Sequence, residues 1–333
     1  MIGLSALVSF SVCCISVFLL ARFADKLSLI DKPSEHRQHK IETPMVGGLA
    51  MFLGLASGYL LFNQLSVGLL FCLFLICLLG AVDDRLQLPS WLRFICQGLI
   101  TYLMINLTGI ELQSLGVLFS NQELLLQNWS VPITVFATIG VINALNMSDG
   151  LDGLAGCLTL IVLVALLSIS GFQSPLIILS IAMLVGFLVW NLRVKRKQAY
   201  VFMGDAGSTM LGFLLSVLLI SYSQTESGFM PVTALWLLAL PLVDAVGVLI
   251  VRPMRGQSPF KADRLHYHHQ LIDMGFSVNK TLIFVLVVQS VLILIGLSLW
   301  KFNVNENSQL IGFLLFFFCY LIHLFRFSKN EAV

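Results

Sequence analysis

Residues 132–170 read PITVFATIGVINALNMSDGLDGLAGCLTLIVLVALLSIS. Two long apolar runs are joined by NALNMSDGLDG (143–153), which holds two asparagines and two aspartates. An ionised carboxylate at the edge of a membrane is costly to leave without a partner. The sequence around this segment has to say what those polar groups face.

The chain has 333 residues, 58% of them hydrophobic and only 11% charged, with a mean hydropathy of +0.94. Soluble domains run near 45–50% apolar and about 25% charged, so this composition belongs to a polytopic membrane protein. Span-length windows fall at roughly 3–21, 46–62, 66–82, 94–110, 131–147, 154–171, 174–191, 208–223, 231–251, 281–300 and 309–325. The expectation is an all-α, single integral-membrane domain over 1–333 with about 11 transmembrane helices. The first window lacks an A-x-A-like cleavage site and reads as a permanent span. Cys13, Cys14, Cys72, Cys77, Cys96, Cys157 and Cys319 all lie in or beside apolar runs with no CxxC pair. They read as small core hydrophobes and indicate neither disulfides nor a thiolate metal site.

Orientation follows from the basic residues. Of 19 lysines and arginines, all but Lys301 fall in alternate loops or at their flanks. That side is read as the cytoplasm, with the N-terminus outside and the C-terminus inside. Every polar motif then lies on the cytoplasmic side: DKPSEHRQHKIETPMVGG (31–48), DDRLQLPS (83–90), NALNMSDGLDG, FMGDAGS (202–208) and SPFKADRLHYHHQL (258–271).

Asn143, Asn146, Asp149 and Asp152 recur every third residue, but Gly150 and Gly153 argue against one continuous helix. A helix end, a turn and a new helix near Leu154 are expected. One aspartate could be an N-cap, which leaves the other polar residues unexplained. FMGDAGS sets Asp205 between Gly204 and Gly207, with Ser208 placed as an N-cap. Helix N-termini with nearby glycines suit a phosphate. Carboxylates at the same place suit the divalent cation that accompanies a nucleotide diphosphate.

Asp83 and Asp84 oppose the dipole of the helix they close, so a purely structural role is poorly motivated. An ion pair with Arg85 competes with a role as metal ligand or base. The HYHH run gives His266, His268 and His269, with Lys261 and Arg264 just before it. These suit phosphoryl oxygens better than zinc, for which no further ligand cluster is evident. His36 and His39 are expected to be solvated or near an anion, and His323 to be a satisfied packing residue. Asp244, the acid well inside a span, is either functional or the holder of a neighbouring helix end.

Taken together, GAVDDR, NALNMSDGLDGLAG, VFMGDAGSTMLGF, TALWLLALPLVD and SPFKADRLHYHHQLIDMGFS resemble the polyprenyl-phosphate N-acetylhexosamine-1-phosphate transferases over nearly the whole chain. The pattern is most similar to the bacterial undecaprenyl-phosphate GlcNAc-1-phosphate transferases that begin O-antigen and related surface glycans. The peptidoglycan relatives carry three consecutive histidines where this chain has HYHH, which argues against a muramyl-pentapeptide substrate.

The resemblance implies that a lipid phosphate attacks the β-phosphorus of a UDP-sugar, releasing UMP at the cytoplasmic face of the bacterial inner membrane. It implies Mg²⁺, with Mn²⁺ as a substitute, on Asp205 and Asn146. Asp83 and Asp84 would face the lipid phosphate, one of them as base. Asp149, Gly150 and Asp152 would hold the nucleotide. Arg264, His266, His268 and His269 would hold the sugar diphosphate. A lysine that some members carry after the paired aspartates is replaced here by the Gln87–Leu88 region, which leaves Arg85 or Arg93 as substitutes. GlcNAc is favoured as the sugar, with GalNAc, QuiNAc or FucNAc as alternatives. No nucleic-acid partner is indicated, and a homodimer is left open.

From other classes, a secondary transporter for an anionic metabolite would place its acids near the bilayer midplane in internal repeats. A lipid phosphatase or CDP-alcohol transferase would need its own Asp-rich signature. Neither pattern is evident.

Overall fold

The computed structural model describes residues 2–31, 42–61, 66–119, 121–194, 196–225, 228–259 and 263–330. The chain forms two compact units, one of Met1–Gly109 with Asp152–Leu215, the other of Ile110–Leu151 with Ser216–Val333.

The first unit contains α1 (Ile2–Phe23), α2 (Gly47–Leu61), α3 (Val67–Leu86), α4 (Ser90–Thr108), α6 (Leu154–Ile169), α7 (Pro175–Asn191) and the first half of α8 (Gly204–Ser223). A two-residue antiparallel ladder, β1 (Ile30–Asp31) with β2 (Thr43–Pro44), and an isolated antiparallel bridge between Ser114 and Leu125 depart from the expected all-α fold. α2 and α7 pack along α1, where the Ser9 hydroxyl donates to the Leu179 carbonyl at 3.2 Å. Short side chains at such contacts let helix backbones approach closely, the usual mode of association in lipid. The chain before α2 and the chain before α8 are tied by backbone bonds. Phe202 donates to Pro44 O at 2.8 Å, Gly47 to Phe202 O and Gly48 to Met203 O at 3.0 Å. At Gly80 of α3 a Cβ would strike the Asp205 carbonyl and the Ala206 backbone. A residue without a side chain therefore lets α3 lie against the start of α8.

The second unit contains a 3-10 turn (Gln127–Trp129), α5 (Ser130–Met147), the second half of α8, α9 (Pro231–Leu237), α10 (Ala239–Met254), α11 (Tyr267–Asp273), α12 (Val278–Lys301) and α13 (Glu306–Asn330). α10 packs against α5 and α13, and Val248, Val251, Leu265 and Leu324 form a buried cluster there.

A helix or helix pair stands in each of the eleven expected windows, but not every one has the length of a span. Among the described residues, six helices are long and apolar enough to cross a membrane: α1, α3, α5 with its preceding turn, α8, α12 and α13. The window 231–251 is a broken pair, α9 and α10, bent by 83°, which would make a seventh span if taken as one. α2, α6 and α7 are apolar but have only 15, 16 and 17 residues. At about 1.5 Å per residue the shortest fall below the ~30 Å of a hydrocarbon core. The fold is that of a polytopic, nearly all-helical membrane protein.

Candidate active site

In the first unit the paired aspartates at the end of α3 take separate partners. Asp83 is buried and pairs with Arg93, Nη1 to Oδ2 at 2.9 Å. Its other oxygen accepts the Leu88 N–H at 2.7 Å, closing the turn into α4. Arg85, the ion-pair partner weighed from the sequence, is exposed. Asp84 reaches the start of α8, accepting the N–H groups of Asp205 at 2.7 Å and Ala206 at 3.1 Å. A carboxylate there satisfies orphan donors and complements the dipole.

Two expectations about α8 are thereby corrected. The helix begins at Gly204 rather than near 208, because Gly204 adopts a φ of +69° and Asp84 caps the turn beyond it. Ser208 is consequently not an N-cap; its hydroxyl donates to Gly204 O at 3.1 Å inside the first turn. The two leading N–H groups face a carboxylate of the protein, not open space for a phosphate. A Cβ at Gly204 would stand 2.5 Å from Asp84 Oδ2, so glycine there also makes room for the cap. Asp205 lies in that first turn, close enough for its charge to act against that of Asp84.

Asp152 belongs to the same unit and is buried. Oδ2 accepts Arg193 Nε at 2.5 Å and the Ala199 N–H at 2.8 Å. Next to it, the Gly153 N–H donates to Asn191 Oδ1 at 2.7 Å, and Asn191 Nδ2 donates to Val201 O at 2.8 Å. Neither Asp149 nor Asp152 caps α6, whose N-cap is Gly153. Sequence reasoning passed over Asn191 and Arg193 as site residues, and named Arg93 only as a substitute for a missing lysine, not as the partner of Asp83. The available signal was their position, polar residues at or just beyond the ends of apolar runs.

In the second unit, α5 ends at Met147 as expected. Asn143 and Asn146 lie in its last turns, and Asp149 comes next in the turn closed by Asp149 N–H to Asn146 O at 3.1 Å. Asn143 Nδ2 donates to its own helix at Ile139 O, 2.8 Å. Gly150 abuts the histidine cluster: a Cβ there would collide with His268 Nε2.

His266 stands at the N-cap position of α11, and His268 and His269 lie within that helix. The His266 and His268 rings stack at 5.7 Å with planes 9° apart, and those of His268 and His269 lie 4.2 Å apart. His268 is 1% exposed, with neither ring nitrogen hydrogen-bonded among the described residues. Burial, with the His269, His266 and Arg264 charges as neighbours, holds it well below the usual imidazole range. His269 is pushed down to about 4, first by burial, then by Arg264 and His266. Both rings are therefore neutral at pH 7. Arg264 forms a two-pronged pair with Asp273, at 3.1 and 2.5 Å, on the surface. Arg252, which the sequence reading did not single out, is buried and forms the same kind of pair with Asp263, at 2.9 and 3.0 Å.

Asp244 is 1% exposed and gathers donors from the Tyr267 N–H, the Tyr320 hydroxyl and the His266 ring. It holds the start of α11, the second of the two roles open to it. His323 is hydrogen-bonded to Gln270 at 3.1 Å, as a satisfied residue should be, but lies on an exposed face. His36, His39 and Lys261 fall outside the described residues.

A family model described as glycosyl transferase family 4 matches residues 66–223, the segment carrying Asp83, Asp84, Asn146, Asp149, Asp152 and Asp205. The chain is 35% identical to the undecaprenyl-phosphate α-N-acetylglucosaminyl 1-phosphate transferase of Haemophilus influenzae, over 98% of this chain and 96% of that one. It is 35% identical to the enzyme of the same name from Salmonella typhi, over 96% and 90% of the two chains. With that of Escherichia coli K12 it shares 33% identity over 91% and 86%. On a likeness that runs nearly end to end through these enzymes, the chain belongs to glycosyl transferase family 4, among the relatives of the undecaprenyl-phosphate α-N-acetylglucosaminyl 1-phosphate transferases.

Proposed function

We propose that the protein transfers N-acetylglucosamine 1-phosphate from UDP-GlcNAc to undecaprenyl phosphate, releasing UMP and forming the polyprenyl-diphospho-sugar that begins a surface glycan such as O-antigen. The observation that carries this reading is 35% identity, across 98% of the chain, to an enzyme named for that transfer. The chemistry of the described residues supports it. Phosphoryl transfer needs positioning and charge neutralisation more than covalent help, and both units hold carboxylates, amides or arginines at helix ends.

Mg²⁺ fits the donor set. Among the described residues no three His, Cys, Asp or Glu side chains form a ready-made metal cage. Mg²⁺ does not ask for one, because it keeps several waters and takes one or two carboxylates plus substrate phosphates. Asp84 and Asp205 are like charges near enough to repel, and a cation relieves such a pair. Asp205 would hold the metal, with Asn146 as the second ligand suggested by the family resemblance and Mn²⁺ as a substitute. When bound, the ion neutralises charge on the diphosphate.

Asp83 and Asp84 would face the lipid phosphate, whose second proton leaves near pH 6; at neutral pH they position and shield it more than they deprotonate it. Asp149, Gly150 and Asp152 would hold the nucleotide. Arg264, His266, His268 and His269 would meet the sugar diphosphate, with His268 and His269 as neutral rings. The reaction would take place at the cytoplasmic face of the inner membrane, the side favoured by the basic loops. GalNAc, QuiNAc and FucNAc donors are the competing sugars.

The test is UMP release by purified protein with Mg²⁺, a polyprenyl phosphate and a panel of UDP-N-acetylhexosamines. UDP-GlcNAc is expected to be used best, and Asp205→Ala to lose turnover while keeping the parent's melting temperature. No UMP from any donor would overturn the activity, and full turnover in Asp205→Ala would remove the metal assignment.

A further inference from the structure

Asp244 lies in α10, is 1% exposed, and is not among the residues to which the proposed reaction assigns a task. Its carboxylate is saturated with donors. Oδ1 accepts the Tyr267 N–H at 3.1 Å and the Tyr320 hydroxyl, and Oδ2 stands 2.6 Å from His266 Nδ1. The Tyr267 N–H can only donate, and against an ionised carboxylate the Tyr320 hydroxyl donates as well. A carboxylate oxygen in such a set acts as acceptor, so the proton of the third contact belongs on the imidazole. The other ring nitrogen, Nε2, faces the Arg252 guanidinium at 3.5 Å, a donor that cannot be deprotonated. With an acceptor on one side and a donor on the other, a single neutral tautomer fits. The other neutral tautomer would place a lone pair against the carboxylate and an N–H against the guanidinium, and a flipped ring would offer both partners only C–H groups. Tyr320, on α13, donates to the same Oδ1 that accepts the Tyr267 N–H, so two donors hold that oxygen while Oδ2 meets His266.

We propose that Asp244, braced by Tyr320, is a positioning residue for His266, fixing the proton on Nδ1 so that Nε2 is the end of the ring that meets the phosphoryl chemistry. This rests on the assignment of His266 to the sugar-diphosphate side. The groups that face His266 are Asp244 on α10, Arg252 at the end of α10, Asp263 paired to Arg252, the stacked ring of His268, and Tyr320 and Tyr267 through Asp244. No other arrangement of these groups gives the carboxylate three donors and the guanidinium an acceptor. Holding the start of α11 is the same contact seen from the backbone, and it explains why Tyr267 N–H and His266 Nδ1 share one acid.

The decisive variant is Asp244→Asn, equal in size. Its amide oxygen still accepts the Tyr267 N–H, but its NH₂ faces His266 and must donate, which forces the imidazole proton onto Nε2. Selective ¹⁵N-histidine NMR of the full-length protein in detergent, with the His266 signals assigned by their loss in His266→Gln, reads the tautomer directly. The expected result is Nδ1–H in the parent and Nε2–H in Asp244→Asn. Alongside it, kcat for UMP release should fall by about 10²-fold or more, with KM for UDP-GlcNAc unchanged and the melting temperature near the parent's. Tyr320→Phe, which removes one donor and leaves the acid, should retain Nδ1–H and lose less kcat.

A parent protein with its His266 proton on Nε2 would overturn the proposal, whatever the variants do. So would an Asp244→Asn protein that keeps the parent's tautomer or the parent's kcat. If Asp244→Asn does not fold, the parent spectrum still decides the tautomer, and an undiminished kcat in Tyr320→Phe overturns the bracing role. If no UDP-sugar gives UMP with the parent while the tautomer is as expected, the functional reading has failed and the positioning of His266 stands.

Discussion

His268 Nε2 occupies the place where residue 150 would carry a Cβ, and the ring is almost wholly buried. Gly150→Ala should therefore force a packed imidazole aside, at an overpacking cost of about 1–3 kcal/mol. Thermal unfolding in detergent checks this; an alanine variant as stable as the parent would show that the ring moves freely. The next ring along, His269, is held down to about 4 from its ordinary 6.5, chiefly by burial. Its folded form resists protonation that the unfolded chain accepts, so the folded state binds fewer protons. Its contribution is complete above about pH 6.5 and is lost as pH falls toward 4. Melting temperatures from pH 7.5 to 4.5 should fall less steeply for His269→Gln than for the parent; parallel curves would sink the assignment. The acids separate in the same way. Asp84→Ala removes the acceptor for two N–H groups of α8 and should lower stability by about 1–2 kcal/mol. Asp205→Ala should affect turnover and leave the melting temperature alone. The sequence marked both acids as chemically unusual, but it could not say that one of them caps a helix 121 positions away.

The break between α9 and α10 is the clearest case at the level of elements. A bend of 83° leaves backbone groups at the break without helical partners, and Pro241 has no N–H to offer the Leu237 carbonyl. Gln289 of α12, fully buried, takes both. Its Oε1 accepts the Leu240 N–H at 2.8 Å and its Nε2 donates to Leu237 O at 2.9 Å. Gln289→Leu should leave both groups unsatisfied and cost about 2–6 kcal/mol, at about 1–3 kcal/mol per group. Urea or thermal unfolding measures it, and a neutral result would mean that the helix has straightened or that water fills the gap. In the sequence, 231–251 reads as one apolar window, because hydropathy records composition and not direction. The polar residue that answers the break lies 49 positions further on, where periodicity offers no clue. The end of α5 and the start of α6 were legible, since the glycines at 150 and 153 and the polar run mark them locally.

For the molecule as a whole the predictions concern the membrane and the ion. Chelation with EDTA should abolish UMP release without loss of the far-ultraviolet helix signal, and Mg²⁺ or Mn²⁺ should restore it; activity that survives chelation would exclude a metal-dependent reaction. Single cysteines at Ser258 and Gln122, in a background cleared of native cysteines, should react with impermeant reagents from the cytoplasm and from outside respectively. The reverse labelling would invert the orientation taken from the basic residues. The membrane character of the chain was legible from composition alone, since 58% hydrophobic and 11% charged residues leave no other folded state. The number of spans was not. Apolar windows in α2, α6 and α7 have the composition of spans, but their helices have only 15–17 residues, and helix length depends on where neighbouring segments cap and turn the chain.

Local composition and spacing, read along the chain, were enough to establish a helical membrane protein, its polar segments at helix ends, the family resemblance, and the acids and histidines worth suspecting. Which partner each of those residues takes was settled only by the folding of distant segments onto one another. Asp83 goes to Arg93, Asp84 to the start of α8, Asp152 to Arg193, and Asp244 to His266, Tyr267 and Tyr320. A buried charge must find its partner among groups brought near by packing, and packing joins residues that no local pattern in the chain connects.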